Sequence, residues 1–158
     1  MPNWCSNVLT IKSTDEEILD EIIEAAEAGR LLQYLRPNPS GEWSYDWSVA
    51  KWGTKWDVEC YGVDTMHLDE DYLILDFDSA WSAPIEAVEW AEKALGLECK
   101  LWFYECGVGL LGEYEGGETT YYDLPRTQEE ADRALNEIPE YLINAFRLEE
   151  EFNMMFEE

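Results

Sequence analysis

Three groups of residues have types and spacings that bear on chemistry. GVGLLG (107–112) satisfies G-x-G-x-x-G. In dinucleotide sites that pattern works because a helix follows and its N-terminus holds the pyrophosphate. Here the acidic, hairpin-like EYEGGE follows, so a phosphate would meet Glu113 and Glu115. The expected reading is a strand with glycine bulges, and no nucleotide or other cofactor is expected. The second group, HLDEDYLILDFD (67–78), carries Asp69, Glu70, Asp71, Asp76 and Asp78. Hard cations take such oxygens, but the EF-hand spacing is absent. Asp76 and Asp78 share one face of a strand, so a carboxylate-based, metal-dependent enzyme is the alternative to a solvated loop and strand edge. The third group is Cys5, Cys60, Cys99 and Cys106, with His67 the only histidine. No C-x-x-C pair occurs, so no zinc site is expected. Cys60 and Cys99 lie in strand-like runs, where a free thiol acts as a small buried hydrophobe. Neither G-x-S-x-G nor H-E-x-x-H is present, and acid–base work would fall to His67, carboxylates or Tyr. The sequence therefore reads as that of a protein that is no enzyme.

WSYDWSVAKWGTKWDVEC (43–60) is more informative. Trp43 and Trp47 are four apart, as are Trp52 and Trp56, so each pair has the spacing of one helical face. Gly53 interrupts a continuous helix, which leaves a short helix over 45–52 and entry into a strand at Trp56. Two readings stand. The segment is a core plug closing the open end of a sheet, or it is an exposed aromatic platform rimmed by Asp46, Lys51 and Asp57. The candidate partner-binding residues are Trp43, Tyr45, Asp46, Trp47, Lys51, Trp52 and Asp57, with Glu149, Glu150 and Glu151 further on.

The totals narrow the classes. Thirty-six acids against ten bases give a net charge of −26. Direct nucleic-acid binding is disfavoured because neutralising phosphates takes clustered Lys and Arg, and an anionic membrane is disfavoured for the same reason. An apolar share of 46% with eight Trp, nine Tyr and five Phe argues for a packed core. The 158 residues suffice for one domain without disulfide or metal. The beginning MPNWCSNVLTIKS has no basic region before an apolar run, and no run approaches a membrane span, so a cytoplasmic protein is expected.

The elements that must position these residues follow from periodicity. CSNVLTIKS (5–13) alternates as a strand. A helix follows, with Thr14 as expected N-cap, Glu17 completing a capping box, an apolar face of Ile18, Ile22, Ala25 and Ala26, and Gly29 at its end. Pro37 and Pro39 break the chain before the Trp-rich insert, 36–57. Two strands, WDVECYGVD and DYLILDFDSAW, are joined by TMHLDED. A second helix over 82–95 has Ser82 as expected cap and Pro84 in its first turn. LECKLWFYEC (97–106) is a strand with Leu97, Cys99, Leu101 and Phe103 on one face, and a hairpin turns near Gly116–Gly117. The order β-α-(insert)-β-β-α-β is the split βαβ, ferredoxin-like plan, an α+β antiparallel sheet, here with an extra hairpin and C-terminal helices. Residues 1–125 are read as that domain. Residues 126–158 are read as two helices interrupted at Pro139 and packed on the same domain. Ile138, Tyr141, Ala145, Leu148, Phe152 and Met155 form a short heptad seam, so a homodimer through 138–155 is the other reading.

Several stretches together resemble the YubB ferredoxin-like family of small phage and plasmid proteins: MPNWCSNVLTI, RPNP (36–39), YDWSVAKWGTKWD (45–57), FDSAWSAPIEAVEWAE (77–92) and YECGVGLLGEY (104–114). The resemblance implies a ferredoxin-like fold and an origin on a mobile element, and it implies no catalytic residues. Lys51 stands where the family pattern has Asn, so contacts of that side chain do not carry over. The acidic helices after 126 lie outside the recognised stretches.

The expected function is that of a non-catalytic, acidic, protein-binding accessory encoded by a mobile element. Its partner would be a host or phage protein, one that binds nucleic acid in the sharper version, in which the chain acts as a nucleic-acid mimic of anti-restriction or anti-CRISPR type. A domain of this size is roughly 40 Å wide, and duplex DNA of that length carries about two dozen charges. The totals are comparable, but the acids are spread over both central helices and the tail.

Overall fold

The structure is a computed structural model that describes residues 3–67 and 71–157, with side chains described outside 65–71. The His67, Asp69, Glu70 and Asp71 side chains named above lie outside the described residues. The element order is β1 (Trp4–Lys12), α1 (Glu16–Glu27), α2 (Leu31–Leu35), α3 (Tyr45–Lys51), β2 (Cys60–His67), β3 (Asp71–Ala80) and α4 (Ile85–Leu95). Then come β4 (Glu98–Glu105), β5 (Leu110–Glu115), β6 (Glu118–Tyr121), α5 (Gln128–Glu137), α6 (Glu140–Phe146) and α7 (Leu148–Met155). Six antiparallel strands form one sheet in the order β2-β3-β1-β4-β5-β6. The first four have the order of the split βαβ plan, and the hairpin β5–β6 extends the β4 edge.

Strand alternation divides the sheet into two faces. On one, Leu9 and Ile11 of β1, Leu73, Leu75 and Phe77 of β3, and Leu101 and Phe103 of β4 pack with Leu19 and Ile22 of α1, the leucines of α2, and Val88 of α4. On the other, Tyr104 of β4 and Leu111 of β5 pack with Ile138, Leu142, Leu148 and Phe152 of the tail. The tail thus covers only the β4–β5 part of that face. Glu113 fixes it there, accepting from the hydroxyls of Tyr122 (2.9 Å) and Tyr141 (2.6 Å), while Tyr141 stacks on Trp102.

Local structure departs from the sequence reading in several places. The strand expected to begin at Trp56 starts only at Cys60, and residues 107–109 of the glycine motif form a turn rather than a bulged strand. The cap of α1 is Asp15, whose Oδ1 accepts from the Glu17 and Ile18 N–H groups, and Thr14 is passed over. Ser82 does not cap α4, because its hydroxyl donates to the Gly53 carbonyl, and Pro84 takes the N-cap position. The short α2 was not expected. The tail has three helices, since Arg147 adopts φ 51° and bends the chain between α6 and α7. That bend breaks the heptad seam. Ile138, Leu148 and Phe152 are buried in this chain's own second core, while Tyr141, Ala145 and Met155 remain exposed.

Candidate protein-docking surface

The Trp-rich segment divides between core and surface. Trp52 is buried at 5% exposure, its indole N–H donates to the Arg36 carbonyl (2.9 Å), and Trp47 meets it edge-on at 5.4 Å. Trp43, Tyr45 and Trp56 are exposed. Lys55 Nζ lies 4.4 Å above the Trp56 ring and 6.0 Å from that of Tyr45, a cation–π arrangement. The Trp43 indole donates to the Lys55 carbonyl (2.8 Å), and Trp4 tilts against Trp56 at 6.2 Å.

A buried polar lock holds this aromatic end in place. Thr54 Oγ1 donates to the Ala80 carbonyl (2.7 Å), Ser82 Oγ to that of Gly53 (2.5 Å), and Ser79 Oγ to that of Ser82 (2.6 Å). Asn7 Nδ2 donates to Ser79 Oγ (2.8 Å) and to the Cys5 carbonyl (3.0 Å). Thr54, Ser79 and Asn7 are all buried, so each hydrogen bond replaces water lost on folding. The lock ties the WGT turn to the AWSA turn, two of the stretches that carried the family resemblance. Between them Gly53 adopts φ 87°, where a Cβ would displace the Glu86 carboxylate and crowd the Ala83 carbonyl at 3.1 Å. Next to the lock, Trp81 adopts φ 71° while its N–H bonds the Asn3 carbonyl, and its side chain is exposed. A bulky residue at positive φ is an outlier that its surroundings must enforce.

Of the other candidates, only Asp46 adjoins this cluster. Asp57 is a cap: Oδ1 accepts from the Leu32 (2.7 Å) and Val58 (2.8 Å) N–H groups and Oδ2 from Gln33 (3.0 Å). Burial raises its pKa, against the pull of those three donors. Lys51 contributes its carbonyl, which accepts from Arg36, and its side chain is exposed. Asp46 is exposed in the first turn of α3 beside Tyr45. Glu149, Glu150 and Glu151 open α7 on the covered side of the sheet, away from the insert. Trp4, Lys55 and Trp81 belong to the aromatic end and were missed. Trp4 had a signal: it falls in the phase of Ser6 and Val8, opposite the buried Cys5, Leu9 and Ile11.

Of the remaining chemistry, the glycine motif is filled from within. Buried Glu105 accepts from the N–H groups of Gly107 (2.6 Å) and Val108 (2.7 Å), and β5 follows where a nucleotide site needs a helix. The turn borders a groove of about 860 Å³ that also takes in Arg126, Glu130 and Arg133. Cys5 is buried and free, its thiol pushed up to about 12 by burial. Among the described residues, no three His, Cys, Asp or Glu side chains gather to hold a metal, and no helix is long and apolar enough to cross a membrane.

No curated protein matches the sequence. In structure the chain is similar to protein api92 from Yersinia pseudotuberculosis, with a TM-score of 0.50 and 12% identity over 79% of this chain and 99% of that one. That likeness concerns the fold alone. A family model described as "Ferredoxin-like domain in Api92-like protein" matches residues 51–143. The match runs past 126 through α5 into α6, so part of the acidic tail is shared family structure rather than an addition. Spanning more than half of the sequence, it shows that the chain belongs to this family of ferredoxin-like domains of Api92-like proteins.

Proposed function

We propose that the chain is a non-catalytic accessory protein that docks onto another protein through its aromatic end. One observation carries the reading: Trp4, Trp43, Tyr45, Trp56 and Trp81 are all exposed, yet fixed by a buried polar lock and a left-handed backbone at Trp81. Exposed indoles are costly in water and, when held rigid, lose little entropy on binding, which is why they recur as interface anchors. The charge of −26 favours a basic partner, and a host or phage protein that itself binds nucleic acid is the class that fits. The motif resemblance supports an origin on a phage or plasmid, and the acidic charge, comparable in total to that of duplex DNA as wide as the domain, is what suits a role against host defence of anti-restriction or anti-CRISPR type.

The test is retention of proteins from a bacterial lysate on immobilised wild type and on the Trp4→Ala/Trp56→Ala variant, at low and high salt. A discrete set retained by wild type and lost by the variant, with its melting point nearly kept, supports the reading. Identical sets on both proteins overturn it.

A further inference from the structure

We propose that the uncovered strip of the second sheet face, over β2, β3 and β1, is a docking strip for an arginine-bearing segment of a partner protein. It builds on the reading above only in that a partner exists, and it adjoins the aromatic end, with Trp4 at the boundary between the two. The tail helices stop over β4 and β5, leaving this half of the face without a covering element. Ser6, Val8 and Thr10 of β1 lie on it, opposite Asp78, Asp76 and Ile74 of β3, and Gly62 and Asp64 of β2 complete it.

Three features select the occupant. First, Asp64, Asp76 and Asp78 form no ion pair among the described residues; the strand lysines of this face, Lys12 and Lys100, lie at the end of β1 away from Trp4, Lys100 being paired with Glu115 (3.5 Å), and Lys55, nearer the Trp4 end, stands over the Trp56 ring. Burial and then the Asp64 charge raise the pKa of Asp76, a crowding that a bound cation relieves. Second, Gly62 lets the Asp76 carboxylate lie across β2, since a Cβ there would stand 2.7 Å from Asp76 Oδ2. Third, aromatic rings flank the acids: Tyr61, 69% exposed, reaches Asp78 with its hydroxyl (3.4 Å), and Trp4 ends the strip at 49% exposure. A guanidinium pairs with carboxylates through its fork of N–H groups while stacking flat on such rings, and an ammonium does only the first. Asp76 and Asp78 repeat at roughly 7 Å along β3, which is also the spacing of alternate residues in an extended peptide.

The probe is a decapeptide of alternating arginine and serine, titrated by calorimetry against the full chain at two salt concentrations, beside its lysine counterpart. Two variants each remove three acids: Asp64→Asn/Asp76→Asn/Asp78→Asn on the strip, and Glu17→Gln/Asp20→Asn/Glu24→Gln on the exposed side of α1. Expected are saturable binding of the arginine peptide that weakens with salt, loss of about tenfold or more in the strip variant, and near-unchanged binding in the α1 variant. Equal losses in both variants, equal affinity for the lysine peptide, or no binding overturns the proposal. Self-association of wild type that the strip variant abolishes also overturns it, by assigning the strip to a second copy. Because the peptide titration needs no lysate partner, it can succeed where the pull-down fails and the reverse.

Discussion

Replacing Trp52 by Ala removes the one buried tryptophan of the insert, from a site at 5% exposure. Burial and cavity terms for such a truncation amount to about 3–5 kcal/mol. The Arg36 carbonyl also loses its indole donor, adding about 1 kcal/mol. The sum, about 4–6 kcal/mol, approaches the whole stability of an ordinary domain. At roughly 2–4 °C per kcal/mol, the melting point should fall by about 8–24 °C. Trp43→Ala is the internal comparison. Its ring is 54% exposed, so what it loses is mainly the hydrogen bond to the Lys55 carbonyl, about 1 kcal/mol. Thermal denaturation followed by far-UV circular dichroism, with a urea titration of both variants, measures the difference. Trp52→Phe should fall between them, since it keeps an aromatic ring and loses the donor. If Trp52→Ala and Trp43→Ala shift the transition equally, the division of the segment into plug and platform is wrong.

Gly53→Ala should cost more than Gly96→Ala, as read from urea midpoints. Both glycines have positive φ, which costs about 1–2 kcal/mol for any other residue. Only at Gly53 does the new Cβ also press on a backbone carbonyl, that of Ala83 at 3.1 Å. Phe152→Ala should destabilise by about 3–5 kcal/mol, and deletion of 138–158 should expose Tyr104 and Leu111 and raise binding of a hydrophobic dye. An unchanged melting point with no dye binding would show that the tail does not contribute to the second core. Asp76→Asn should slightly stabilise the protein at neutral pH. The raised folded-state pKa means that ionising Asp76 opposes folding, so the gain should shrink as pH falls through the carboxylate range; a gain that grows on acidification would reverse the sign.

The sequence determined the sheet strands, the two crossover helices and the hairpin, because each rests on local rules. Alternation placed Leu9, Ile11, Leu101 and Phe103 on one face, and Gly116–Gly117, both at positive φ, mark the turn between β5 and β6. GVGLLG reads as a strand with glycine bulges, but 107–109 turn the chain from β4 into β5 and only 110–112 are strand, in unbroken register with β4; the deciding partner, Glu105, became visible only in the fold. Tertiary structure decided what depends on contacts between distant segments. Asp57 looks like a rim charge in sequence and is a cap for a helix that begins 26 residues earlier, at Leu31. Ser82 has the spacing of a helix cap, but the Gly53 carbonyl competes for its hydroxyl and prevails. Trp43 and Trp52 belong to one composition-rich run, and only packing against Arg36 and the AWSA turn buries one and leaves the other in water. The strip over β1, β2 and β3 stays open because Arg147 turns the tail back over β4 and β5, and periodicity carries no trace of that bend.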